Sequence, residues 1–243
     1  MQQDLTILAQ LVRIWDWIEN NRKQATYILV GVIIVACVSG YFLWSRSERQ
    51  MDAGRALSQV VLTDTFKEKS SAELGQAYLK IASQYDGTDA AGYALLQAGT
   101  AEFEASNYDQ AHKLFVRMIR EYSSSPFMAQ ANLGIAACLD AEGKTDEAVQ
   151  AYRNAIERYP ESVIVPQAKF AIARIYESQG KLGDAYTLFE GLVQAEGLNT
   201  SIGSEAGMRG VELRQRMAAI IAATSAPPVT ATSPLPSQGT NAP

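Results

Sequence analysis

The sequence has little of what enzymes, metal proteins and nucleic-acid readers use. Its 243 residues hold one histidine and two cysteines, and 21 basic side chains stand against 26 acidic ones. His112 lies on the polar side of its stretch beside Ala111, with no cysteine or carboxylate at metal-ligand spacing. It reads as a surface histidine, and no metal is expected. Basic residues gather into no stripe, which removes the electrostatic footprint that nucleic acid requires. No serine or cysteine stands in a nucleophile motif of the hydrolase kind. Gly197, Gly203, Gly207 and Gly210 follow a helical stretch instead of a strand, so they fail the context of a phosphate-binding loop and read as a flexible junction. The expectation is a protein that is not an enzyme, with no cofactor and no small-molecule substrate.

The two cysteines do not suggest a disulfide. Cys37 falls in an apolar run and Cys138 on a helix face expected to be buried, where a free cysteine packs as a small hydrophobe. Their usage says little about redox compartment.

What the chain does have is repetition. The stretch Gly143 to Pro160, GKTDEAVQAYRNAIERYP, sets Asp146 and Glu147 in the first turn of a helix, where carboxylates favour the positive end of the dipole. Ala148, Tyr152, Ala155 and Ile156 then share one helical face, Tyr159 closes it, and Pro160 stops the helix. At a spacing of 37 residues Ala148 has counterparts in Ala111, Ala185 and more loosely Leu74, and Tyr152 in Tyr78, Phe115 and Phe189. Tyr159 maps to Tyr85 and Tyr122, Gly143 to Gly180, and Asp146 to Asp109. A fixed period in this range means stacked supersecondary units, none able to bury its face alone.

The small, aromatic, small and proline positions Ala148, Tyr152, Ala155 and Pro160, with Ala136 and Gly143 upstream, resemble the tetratricopeptide repeat. A further copy reads Ala173, Tyr176, Gly180, Ala185 and Phe189. The family repeats every 34 residues, so the longer period implies a variant with lengthened units. The resemblance implies an all-α solenoid of helix pairs over residues 46–223, closed by a capping helix from Thr200 to Ala223 with Arg209, Glu212, Arg214 and Arg216 on its polar side. The pairs are Ala90 to Ser106 with Tyr108 to Tyr122, Phe127 to Glu142 with Thr145 to Tyr159, and Val165 to Gln179 with Leu182 to Ala195. Ahead of them, Ala72 to Tyr85 is the partner of a first helix within Ser45 to Phe66. Gly143 and Gly180 suit left-handed helix ends, and Asn107 is expected to take that role in the first of these pairs.

In the resembled family the first helix of each pair lines a concave groove. That implies partner-binding positions at Tyr93, Leu96, Thr100 and Phe103, at Gln130, Leu133, Ala137 and Asp140, and at Gln167, Phe170, Arg174 and Glu177, some of them shared with the core between repeats. The family's clamp for a peptide C-terminal carboxylate needs Lys, Arg and Asn at such positions. Only Arg174 is offered, so that mode is not expected.

Residues 1–24 read as an amphipathic segment, with Leu5, Leu8, Leu11, Val12, Trp15 and Ile18 at helical spacing. It suits either the lipid interface or a partner helix. Residues 25–45 form the expected single transmembrane helix: Ala25 to Trp44 carries no charge and is long enough for a hydrocarbon core of about 30 Å. Tyr27 stands at one edge and Tyr41, Phe42 and Trp44 at the other, as aromatic belts do. Arg13, Arg22 and Lys23 before the span balance Arg46, Arg49 and Arg55 after it. Arg22 and Lys23 abut it while Glu48 and Asp52 are interspersed beyond it, and a cytoplasmic N-terminus is favoured. Ser45 to Phe66 has good helix formers and no proline, so the membrane helix can run into the first repeat helix. Residues 224–243, rich in Pro, Thr, Ser and Ala, read as a disordered tail; a plain tail is a better expectation than a proline-rich ligand.

The short N-terminal segment, the single span ending in Gly40, Tyr41, Phe42, Leu43 and Trp44, and the small repeat domain together resemble the bacterial ancillary subunit family of the SecYEG translocon. The N-terminal extension and the tail depart from it. The resemblance implies an inner-membrane protein with its N-terminus in the cytoplasm and a periplasmic repeat domain. Its partners would be translocon, periplasmic chaperone or other envelope-complex subunits. An alternative is carried by Ile34, Val35, Ala36 and Cys37, which resemble a lipobox and imply a repeat-containing lipoprotein, anchored through Cys37, within an outer-membrane assembly complex. Against it, Val38 to Trp44 stays apolar where lipoproteins turn polar.

Overall fold

The structure, a computed structural model, describes residue 19 and residues 22–66 and 70–225. The amphipathic segment up to residue 18, most of the 67–71 loop and the tail from residue 226 lie outside the described residues. Every regular element among the described residues is a helix. The chain divides into two compact units, residues 1–127 and 128–243. The first holds α1 (Arg22–Phe66), α2 (Ser71–Gln84), α3 (Asp89–Glu104) and α4 (Tyr108–Glu121). The second holds α5 (Met128–Ala141), α6 (Thr145–Arg158), α7 (Ile164–Ser178), α8 (Leu182–Glu196) and α9 (Ser201–Ser225).

The two ends of α1 live in different surroundings. Tyr27, Leu29, Val32, Ile34, Val35, Tyr41, Phe42 and Trp44 are all exposed apolar side chains, while Ala53 is fully buried. The downstream half packs on α2 and α3, and the Gln50 side-chain oxygen accepts from the Asp89 backbone N–H at 3.2 Å. No proline or glycine separates Tyr41 from Ala53, so nothing in the backbone breaks the helix as its environment changes.

Within a pair, the turn is the same in three repeats. Ser106, Gly143 and Gly180 have φ of 63°, 75° and 74°. The N–H of the next residue closes back onto the helix each time: Asn107 to the Glu102 carbonyl at 2.8 Å, Lys144 to Leu139 at 2.9 Å and Lys181 to Tyr176 at 2.9 Å. This is a Schellman ending, which requires a left-handed residue. The expectation for Asn107 is therefore corrected by one position. Asn107 has φ −87°, and Ser106, in register with the two glycines, takes the left-handed conformation instead. Between pairs, the carbonyls of Tyr85, Tyr122 and Tyr159 accept from Thr88, Ser125 and Ser162 at 3.2, 2.9 and 3.0 Å.

Packing within a pair sets an aromatic ring on a small residue. In the first unit a Cβ on Gly99 would lie 2.7 Å from the Phe115 ring, and one on Gly92 would lie 3.0 Å from the Tyr122 ring. The Tyr122 hydroxyl accepts from the Gly87 N–H at 3.1 Å and donates to Asp86 at 2.9 Å, which ties the end of α4 to the turn before α3. In the second unit the corresponding pairs are Ala136 with Tyr152 and Ala173 with Phe189, each pair inside one buried cluster. Cys138 is fully buried, as expected of a core residue, and burial pushes its thiol up to about 11.

The glycines near residue 200 do not form a flexible junction. Gly197 alone is the left-handed end of α8, with φ 70°, whereas Gly203, Gly207 and Gly210 are inside α9. A Cβ on Gly203 would sit 1.9 Å from the Gly197 carbonyl oxygen and one on Gly207 2.8 Å from Leu198. Missing side chains let α9 fold tightly back over the turn that precedes it. Ala206 and Leu213 of α9 are then fully buried with Phe189 and Leu192.

Gly99→Leu should be among the most damaging single changes in the first unit. Added volume in this filled contact is expected to cost about 1–3 kcal/mol, measured as a lower thermal midpoint by circular dichroism. Leu at the exposed Thr100 is expected to leave the midpoint nearly unchanged.

Candidate binding surface

The groove positions inferred from the sequence differ in what they offer. In the first unit all four lie on α3. Leu96 is 7% exposed and belongs to the core. Thr100 is exposed, its hydroxyl donating to the Leu96 carbonyl at 3.1 Å. Tyr93 and Phe103 are half-buried and held by neighbours. Tyr93 tilts against Phe127 with ring centroids 5.0 Å apart and accepts from Gln97 at 2.9 Å, and Phe103 tilts against Tyr108 at 5.2 Å. Two aromatics held by their neighbours thus stand on α3 with a hydroxyl between them in sequence.

In the second unit Gln130, Leu133, Ala137 and Asp140 lie on α5, and Gln167, Phe170, Arg174 and Glu177 on α7. Leu133 packs against the cluster around Tyr152, and Phe170 meets Phe189 edge-on at 5.3 Å. Both mainly serve the core. Gln130 is half-buried, and its side-chain oxygen is buried with no hydrogen-bond partner among the described residues. Gln167 and Arg174 are exposed.

Asp140, Arg174 and Glu177 converge on a concavity of about 430 Å³ together with Ile175, Arg209 and Arg216. Glu177 is its fixed point, with a side chain only 13% exposed. Its two carboxylate oxygens accept separately, from Arg209 at 3.4 Å and from Arg216 at 2.9 Å. Burial raises the Asp140 carboxyl above its ordinary value, and the nearby Arg174 charge opposes that rise. Arg174 makes no ion pair of its own among the described residues. On the other flank of α9, Arg214 donates to the Tyr186 hydroxyl at 2.6 Å and to Glu190 at 3.1 Å.

The sequence reading placed Arg209 and Arg216 only on the polar side of a cap and counted Arg174 as the one cation of the groove. The structure brings all three to one concavity. Arg209 and Arg216 are seven residues apart, two helical turns, and so share a face of α9. That spacing was the available signal. No group of His, Cys, Asp and Glu suited to a metal occurs among the described residues.

Antiparallel helix pairs repeated at a fixed register define a helical-repeat protein. The chain belongs to the tetratricopeptide repeat-like domain family, which matches residues 15–154, and a second tetratricopeptide repeat family matches residues 141–197. No curated protein matches it. Among solved structures, the nearly identical TPR-like repeats of a putative kinesin light chain from Podosopora anserina are 16% identical, with a TM-score of 0.55 over 71% of this chain and 91% of that one. This likeness is one of fold. PcrH from Pseudomonas aeruginosa, solved with the chaperone-binding region of PopD, is 22% identical, covering 51% of this chain and 90% of that one with a TM-score of 0.43. The Yersinia enterocolitica secretion chaperone SycD, solved with a peptide of the translocator YopD, is 19% identical, covering 51% and 92% with a TM-score of 0.43.

The Asp140 shift predicts a pH-dependent variant. A carboxyl whose folded value lies above its unfolded one is a liability once ionised: the native state loses stability as pH rises through the folded value, and no difference remains below the unfolded one. Asp140→Asn should therefore raise the thermal midpoint at pH 7, and its advantage should shrink to nothing near pH 3. Melts of both proteins across that range check the sign.

Proposed function

We propose that this chain is a membrane-anchored scaffold that captures protein partners and performs no catalysis. The observation that carries the reading is α1, one helix with a bare apolar half and a half packed into the repeats. By length and composition it is the one described helix able to cross a membrane. Its exposed residues Leu29, Val32, Ile34, Val35, Val38 and Phe42 then face lipid, with Tyr41 and Trp44, a tilted pair at 6.5 Å, near the edge. Beyond that edge the same helix becomes the first helix of the array, so the repeats are held at the membrane without a linker. The helix also runs unbroken through Cys37, which supports a retained anchor over cleavage and lipidation there.

The order of parts and the GYFLW exit support a place in the bacterial inner membrane, with the N-terminus in the cytoplasm and the repeats in the periplasm. Partners there would be segments of translocon, chaperone or other envelope-complex subunits. In the first unit Tyr93, Thr100 and Phe103 are the contact positions and offer anchored aromatics; in the second, Gln167 and Arg174 offer an amide and a guanidinium, each set to an extended or helical segment.

Photo-cross-linkers placed at Thr100 and Gln167 of the full chain in bacterial membranes test this. The chain should resist carbonate extraction, and both positions should give discrete adducts with envelope proteins. A cross-linker at Lys113, on the second helix of its pair, should give none. Release by carbonate, or identical adducts from all three positions, contradicts the proposal.

A further inference from the structure

We propose that the arginine-lined concavity of the second unit, where Arg174, Arg209 and Arg216 gather around Glu177, binds the Asp or Glu side chains of a partner segment. The inference rests on the scaffold reading and supplies the chemistry of its partner. Three guanidinium groups line the concavity with two carboxylates, Asp140 and Glu177, and a third carboxylate, Glu205, stands against Arg209 from outside the lining. Each guanidinium has five N–H donors. Arg209 and Arg216 each commit one terminal nitrogen to Glu177, and Arg209 a second, more distantly, to Glu205 at 3.9 Å. Arg174 is exposed and enters no ion pair among the described residues. Donors are thus left over on Arg209 and Arg216, already held by Glu177, which lowers the ordering cost of binding, and on the exposed Arg174. Guanidinium and carboxylate also match in planar, two-bonded geometry.

The position fits a partner segment. Arg174 and Glu177 continue the groove face of α7, and α9 supplies the opposite wall. The donors are side chains alone, because these stretches of α7 and α9 spend their backbone N–H groups inside the helices. A chain terminus is usually captured by a backbone nest, and none lines this concavity. Polyphosphate ligands are disfavoured by Asp140 and Glu177 in the same space and by the overall negative charge.

The test uses the full chain in detergent and fluorescently labelled peptides, blocked at both ends, that carry either several Glu or Gln at the same positions. A third, neutral peptide has a free carboxyl end. The Glu peptide should bind, more weakly as salt rises, and the Gln peptide should not. Losing a charged hydrogen bond costs about 1.5–3 kcal/mol, so Arg174→Gln should weaken the Glu peptide about tenfold or more. Lys113→Gln, a charge change elsewhere, should leave it unaffected. Arg174→Gln should keep the parent's helical circular dichroism spectrum at the temperature of the binding assay, which separates loss of binding from loss of fold.

Equal binding of Glu and Gln peptides, binding of the free-carboxyl peptide alone, or an Arg174→Gln variant with undiminished affinity overturns the assignment. If no peptide binds while cross-linking at Thr100 still captures a partner, the assignment fails and the scaffold reading stands. If that cross-linking is lost as well, both fail.

Discussion

The fold depends on one contact, a ring on the second helix of a pair seated on a small residue of the first. Phe115 sits on Gly99, and at the same register Tyr152 and Ala136, and Phe189 and Ala173, share one buried cluster each. Truncating such a ring to Ala costs about 3–5 kcal/mol, whereas an exposed pair such as Lys113 with Asp109 is worth at most about 1 kcal/mol. Packing therefore decides where the helices lie, and the charged residues decorate what it creates. Because the small residue draws the two helices close, the remaining positions on the first helix are pushed outward. Thr100, Gln167 and Arg174 are exposed on those first helices.

The capping helix shows the same division of labour. Gly203 and Gly207 allow α9 to close on the turn behind it, and Ala206 and Leu213 fill the core. Only then can Arg209 and Arg216 reach Glu177. A surface ion pair contributes little stability, and here the almost buried Glu177 fixes the positions of Arg209 and Arg216 beside the concavity of the second unit. The cap thus covers an apolar end and, with α7, builds a polar concavity.

Much of this was legible in the sequence because the repeat is a packing constraint and packing leaves periodic traces. The helix pairs run within two residues of their expected bounds. The misses share a cause: they concern atoms brought together by folding across elements. Gly203, Gly207 and Gly210 looked like flexibility because glycine in a sequence does not say whether it frees the backbone or admits a neighbour. Leu96 was placed in the groove because the helical face is wider than the groove, and the core claims one edge of it. The spacing of Arg209 and Arg216 puts them on one helical face, but it does not reveal their partner Glu177, which lies on another helix. Ser106 was recoverable, since it stands in the column of Gly143 and Gly180, but serine rarely takes a left-handed conformation.

We propose that anchor and repeat array share one rigid helix. Cys37 is exposed and Cys138 buried, so the native Cys37 and a Ser58→Cys substitution can carry a spin-label pair in the full chain reconstituted in lipid. At 1.5 Å per residue, an unbroken helix separates their backbones by about 32 Å. Pulsed electron resonance should give one narrow distribution near that distance. A broad distribution, or a markedly shorter mean, would place a hinge at the membrane edge and contradict the account.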